Sequence, residues 1–160
     1  MDSFSIILVV VLLTLVILSA FFSGSETSIM ALNQIKLDNA EKQGNKSAKI
    51  INSLRKEINR VLGVILIGNN LVNISASALL TFFVIKKFGD EYVWIGTLLL
   101  TIFIIIFAEI APKSFAAKRP ESIAYPASRI LKVLTKYLGS FSEMLTNISN
   151  SLTGIKNNEN

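Results

Sequence analysis

Three long apolar runs constrain this chain more than any other feature. Residues 4–22 (FSIILVVVLLTLVILSAFF) are interrupted only by Ser5, Thr14 and Ser19. Residues 61–85 hold a polar cluster at their centre, and residues 93–111 are closed by Pro112 and Lys113. A helix rising 1.5 Å per residue needs about 20 residues to cross roughly 30 Å of hydrocarbon. Nothing in that hydrocarbon bonds to the backbone, so each run must close its own hydrogen bonds as a helix. The expected fold is all-α and integral to the membrane, with three transmembrane helices at about residues 4–28, 61–85 and 93–111. A cleaved signal peptide would begin with basic residues and carry a shorter core, whereas this start has Asp2 and no Lys or Arg. A mean hydropathy of +0.55 agrees with the membrane reading.

The positive charges orient the spans. Residues 33–60 hold Lys36, Lys42, Lys46, Lys49, Arg55, Lys56 and Arg60, whereas the turn between spans two and three holds only Lys86 and Lys87. Beyond Ala111 stand Lys113, Lys118, Arg119, Arg129, Lys132, Lys136 and Lys156. Basic loops stay cytoplasmic, so the amino terminus is expected outside and the carboxyl terminus inside a plasma membrane crossed three times. The net charge of +5 is then the signature of inner flanks against lipid, not of nucleic-acid binding. There is no cysteine and no histidine. That removes disulfides, thiolate metal sites and the commonest general base, so no enzyme is expected.

The two inside segments carry helical patterns of their own. Ile130, Val133, Leu134, Tyr137, Leu138, Phe141, Leu145, Ile148 and Leu152 recur at three- and four-residue spacing, opposite Arg129, Lys132, Lys136 and Glu143. This predicts a basic amphipathic juxtamembrane helix over residues 121–155, bent early by Pro126, lying in the interface or packed on the bundle. Residues 34–58 form a weaker amphipathic segment broken at Gly44, and complete a membrane core over residues 1–120. The polar end, residues 156–160, is expected to fray.

Polar residues break the spans at a few places. Ser23, Ser25, Glu26, Thr27 and Ser28 follow the first run, Gly68, Asn69, Asn70 and Asn73 sit in the second, and Glu109 ends the third. From the outer side, helix rise puts Ser23 about 28 Å down span one and Glu109 about 24 Å down span three. From Arg60, Asn69 and Asn73 lie about 14 and 20 Å up span two. Asn69 and Asn73 share a helical face that Ser77 extends, while Asn70 points away. Ser23 and Ser28 are five apart, a spacing that a π-bulge near Gly24 would align. Asn and Ser in spans also serve simply to join helices, which suits Ser75 and Ser77 and is open for Asn69 and Asn73. Glu26 is expected at the interface, in water or paired with a Lys. An acid at the depth of Glu109 costs on the order of 3 kcal/mol without a partner, and no Lys or Arg lies within the runs. Its partner is a proton, a cation or cavity water. A carboxylate, amide oxygens and hydroxyls make a hard-oxygen set suited to Mg²⁺, Ca²⁺ or Na⁺ and poor for zinc or copper.

FSGSETSIMALN after span one, IGNNLVN in span two and AEIAPK closing span three resemble the transmembrane domain of the CNNM/CorC magnesium transporters. These are the cyclin M, CorB and CorC proteins, whose bacterial members were often labelled haemolysin-like. The resemblance covers roughly residues 1–150. It implies a homodimer of three-span subunits that exports Mg²⁺, coupled to Na⁺ entry, through an inward-facing cavity. It assigns the metal positions to Ser23, Ser28, Asn69, Asn73 and Glu109, and helix distortion to Gly24 and Pro112. It also implies a juxtamembrane helix leading to a cytosolic, ATP-binding CBS pair, a region that this chain, ending at Asn160, does not contain. The expectation is an excised transmembrane domain or a truncated member. The competing expectation is a membrane anchor or sensor that mediates dimerisation without moving ions.

Overall fold

The computed structural model describes residues 3–153 and is helical throughout, with no strand among the described residues. Span one is α1 (Ser3–Ala31), followed by α2 (Gln34–Lys42), α3 (Lys46–Lys56) and span two, α4 (Ile58–Phe88). A 3-10 turn (Asp90–Tyr92) leads into α5 (Val93–Phe103), a π-helical segment (Ile104–Ile110) and α6 (Ala111–Lys118). These three together make span three. The last helix, α7, covers Pro120–Thr153. The polar stretch 156–160 and residues 154–155 of the expected juxtamembrane helix lie outside the described residues.

The crossing helices, Ser3–Ala31, Ile58–Phe88 and Asp90–Lys118, outrun their apolar cores at one or both ends. Helix geometry continues into the interfacial zone, where water again reaches the side chains, so hydropathy marks only the hydrocarbon part. Large apolar side chains face outward along them, including Ile7, Leu66, Leu71, Ile74 and Trp94. A lipid surround accounts for this, since tails solvate Leu and Ile as well as a core does.

Helix α1 is the hub, packed against α4, the π segment, α6 and α7. Its buried side is largely serine and glycine: Ser19, Ser23, Gly24, Ser25 and Ser28. Such small residues let neighbouring backbones approach closely. The Phe22 ring fills the space over Gly68 of α4, where an added Cβ would stand 2.5 Å from the ring. Around it gather Ile29, Leu54, Val61, Ile65, Val72 and Leu131.

At the basic end, α2 and α3 form a hairpin. Asn33 and Asn45 cap the two helices through their side-chain oxygens, and Gly44 turns the chain at φ 88. Leu37, Ala48 and Ile51 bury against Leu32 and Ala124. Arg55 ties the hairpin to span one. Its guanidinium donates to the carbonyls of Ile29 (2.5 Å) and Leu32 (2.8 Å) and to Gln34 Oε1 (2.6 Å). Those carbonyls are the unpaired acceptors of a helix C-terminus, where a cation is favoured.

Two local expectations shift. The π-type distortion expected near Gly24 is not formed and α1 runs unbroken, whereas the distortion expected at Pro112 takes π form at Ile104–Ile110. Pro112 has no N–H and its ring crowds the carbonyl four residues back, so the strain appears in the turn before it. There the Ala111 N–H reaches the Ile106 carbonyl. Helix α7 begins at Pro120, a favoured first-turn position, and passes through Pro126 as one helix. It turns its small side to the bundle (Ala124, Ala127, Ser128, Leu131, Thr135, Gly139, Ser142) and leaves Ile130, Val133, Tyr137 and Phe141 exposed.

If the Phe22–Gly68 contact sets the distance between spans one and two, Gly68→Ala overpacks it. The expected cost is about 1–3 kcal/mol, read as a lowered unfolding midpoint in detergent, with Phe22→Leu recovering part of the loss. An unchanged midpoint would refute the close approach.

Candidate functional site

The first polar contact inside the bundle joins α1 to α4. Ser19, fully buried, donates its hydroxyl to Asn69 Oδ1 at 2.9 Å. The helices run in opposite directions, so this bond fixes their register. One turn toward the basic end lies Ser23. One turn the other way on α4 lies Asn73. A turn rises about 5.4 Å, so Ser23 and Asn73 stand roughly two turns apart along the bundle, with the Ser19–Asn69 pair between them.

Span three approaches α1 from another side and runs parallel to it. An added Cβ on Gly24 would lie 3.6 Å from Pro112 Cβ, and Lys113 Nζ lies 3.6 Å from Glu26 Oε2. Pro112 is thus level with Gly24. Glu109, three residues earlier, is level with the Ser19–Ser23 turn, about 4 Å from Pro112 along the axis. It is half-buried, next to fully buried Ala108, and its carboxylate forms no hydrogen bond or ion pair among the described residues. Glu26 does pair with Lys113, but both side chains are about half exposed, so the bond adds little.

Ser23 Oγ, Ser25 Oγ and Asn73 Oδ1 are buried with no hydrogen-bond partner. Such groups normally find one, so three together near an unpaired acid are unusual. Ser28 differs: its hydroxyl donates to the Ser25 carbonyl at 3.0 Å, one turn beyond Ser23 toward the basic end. Asn70 faces outward. The Glu109 turn therefore lies between the level of the Ser19–Asn69 pair and that of Ser23 one turn on, with Asn73 and Ser28 beyond on either side. Ser19 was legible only as an interruption of the first run. Its spacing of four from Ser23 is the signal that puts both on one face.

Chemically this is one negative charge among neutral oxygens. Among the described residues no three of His, Cys, Asp and Glu group together, so the acid-rich or imidazole type of metal centre is not built. Outside the spans, burial first and then the charge of Glu121 raise the Tyr125 phenol above its ordinary range. That tyrosine stays neutral at physiological pH.

The family model for the cyclin M transmembrane N-terminal domain matches residues 9–160. The chain is 49% identical over 117 residues to the UPF0053 inner membrane protein YfjD of Escherichia coli, covering 73% of this chain and 27% of that protein. It is 44% identical over 129 residues to a UPF0053 protein of Haemophilus influenzae, covering 81% and 31%. A chloroplastic DUF21 domain-containing protein of Arabidopsis thaliana is 36% identical over 140 residues, covering 87% and 21%. The chain thus spans less than a third of the length of each of these relatives.

The two serines of α1 should respond differently to truncation. Ser19→Ala strands the Asn69 oxygen and is expected to cost about 1–3 kcal/mol, whereas Ser23→Ala breaks no bond and stays within about 0.5 kcal/mol. Unfolding midpoints in one detergent compare them, and equal losses would contradict the partnering described.

Proposed function

The chain belongs to the cyclin M transmembrane-domain family, and from that premise we propose that it carries Mg²⁺ across the membrane. The observation that carries this reading is Glu109. The turn that carries this unpaired carboxylate lies between the orphaned Ser23 hydroxyl of one helix and the Ser19–Asn69 pair that joins it to another. Mg²⁺ takes six hard oxygens and sheds water reluctantly, so a site that strips it needs preformed oxygens and a negative charge. Glu109 supplies the charge. Ser23 and Asn69 supply neutral ligands to either side of it, and Asn73 and Ser28 continue the path beyond them. Ser19 positions Asn69 by occupying one lone pair of its amide oxygen.

The direction proposed is efflux, coupled to Na⁺ entry, with the basic end of the bundle cytoplasmic and the amino terminus outside the plasma membrane. The working unit is a homodimer, and in the full-length protein a cytosolic CBS pair regulates it. Its action is that of a transporter and not of an enzyme. The support for this level of detail is the resemblance of the three motifs together with the charge asymmetry of the loops.

Glu109→Gln keeps the shape and removes the charge. It is expected to weaken Mg²⁺ binding by roughly 10–100-fold in calorimetric titration of the detergent-purified protein, since charged hydrogen-bond and ion contacts contribute about 1.5–3 kcal/mol. Proteoliposomes loaded with a Mg²⁺ dye should lose Mg²⁺-dependent signal in parallel. Wild-type affinity in the variant would sink the site, and a dimer that binds no Mg²⁺ at all would favour a membrane anchor.

A further inference from the structure

A second concentration of polar groups lies at the basic end, away from the ion path. A cavity of about 250 Å³ opens where the α3–α4 corner meets α7, lined by Ser53, Glu57 and Arg60 and, from α7, by Lys132, Thr135 and Lys136. Lys132 and Lys136 are exposed one turn apart, and neither forms an ion pair among the described residues. Arg60 is held in place by Glu57 at 3.2 Å and by Glu143 at 3.5 Å. The two glutamates offset part of the charge, but the two lysines remain unopposed. The positive end of the α4 dipole adds to them, because the helix starts at Ile58 with no side chain capping it.

Thr135 points to a ligand. It is 5% exposed, and its buried hydroxyl has no partner. Thr14, Thr101, Thr146 and Thr153 all return their hydroxyls to the carbonyl four residues back. Thr135 does not, although leaving a buried hydroxyl unmade is unfavourable. A hydroxyl, two ammonium groups without an acidic partner (that of Lys136 lies 5.8 Å from the Tyr137 ring centroid) and a fixed guanidinium around one small cavity form a receptor for a tetrahedral oxyanion.

We infer that this corner binds a phosphate group at the membrane surface. Arg60 stands where span two enters its apolar run, so the cavity lies at headgroup depth. Ile130, Val133 and Tyr137 of α7 are exposed beside it, as an acyl chain below a bound headgroup requires. The phosphodiester of an anionic phospholipid meets both conditions, and inorganic phosphate shares only the first. The ion path and the phosphate corner use different residues.

The test uses the purified chain in neutral maltoside micelles, titrated with dioleoyl phosphatidylglycerol, dioleoyl phosphatidylcholine or inorganic phosphate at matched ionic strength. The thermal midpoint is followed. Phosphatidylglycerol should raise it saturably, and phosphatidylcholine should not. Lys132→Ala/Lys136→Ala should weaken that response roughly tenfold or more, at the usual worth of lysines near an anionic surface. Thr135→Val, which changes no charge, should weaken it too, while Lys36→Ala/Lys42→Ala should leave it intact. A phosphate response with the same dependence on these residues would identify the soluble anion as the occupant and keep the site. Full response in the Lys132/Lys136 variant, equal loss in the Lys36/Lys42 control, or no response to either anion would overturn it.

Discussion

A bilayer offers no hydrogen-bond partner, so each polar group drawn into it must be satisfied inside the protein or by what the protein binds. Helix α1 carries most of that burden, with Ser5, Ser19, Ser23, Ser25 and Ser28 all buried. Small hydroxyl side chains allow close packing and can bond across helices or back to their own carbonyls. Ser19 meets Asn69, and Ser28 meets the Ser25 carbonyl. Ser23, Ser25, Asn73 and Glu109 are what this arrangement leaves over; Ser23, Asn73 and Glu109 are three of the five positions that the transporter resemblance singles out, and the other two, Asn69 and Ser28, are bonded.

Much of the architecture was legible from periodicity alone. The three spans, the break at Gly44 and the long helix after residue 120 follow from run length, a positive-φ residue and three-to-four spacing. The facing of α7 was not legible. In water the large apolar stripe would turn inward, but against lipid it gains nothing by burial, so Ala127, Gly139 and Ser142 take the inner side. The site was half legible. Glu109 stood out because an acid in an apolar run has an energetic cost that a reader of sequence can see. Ser19 did not, because one serine among leucines is ordinary until its partner on another helix is known. Of the two distortions expected, at Gly24 and at Pro112, only the one before Pro112 forms. Gly24 permits distortion, whereas Pro112 compels it.

The same economy shapes the basic end. Arg55 closes the carboxyl end of span one by taking up its last carbonyls, and Arg60 joins the start of span two to α7 through Glu143. Two arginines thereby fix the ends of two spans to the surface helices. Movement of α3 or α7 would be felt at those ends, and through the Ser19–Asn69 register at the polar level between them.

The π segment explains why the acid sits where it does. Pro112 has no amide hydrogen to give the Ala108 carbonyl, and the turn before it widens into π geometry, with the Ile106 carbonyl bonded five residues on. That segment, which carries Glu109, packs against α1. Hydroxyl and amide oxygens alone hold a divalent cation weakly, and a carboxylate alone is unfavourable at that depth. On the proposed Mg²⁺ reading, each half completes the other. A resident structural ion would be better served by more acids and a closed shell. One acid, with neutral oxygens continuing at successive turns, is what the proposed transport reading asks for, since its cation must also leave.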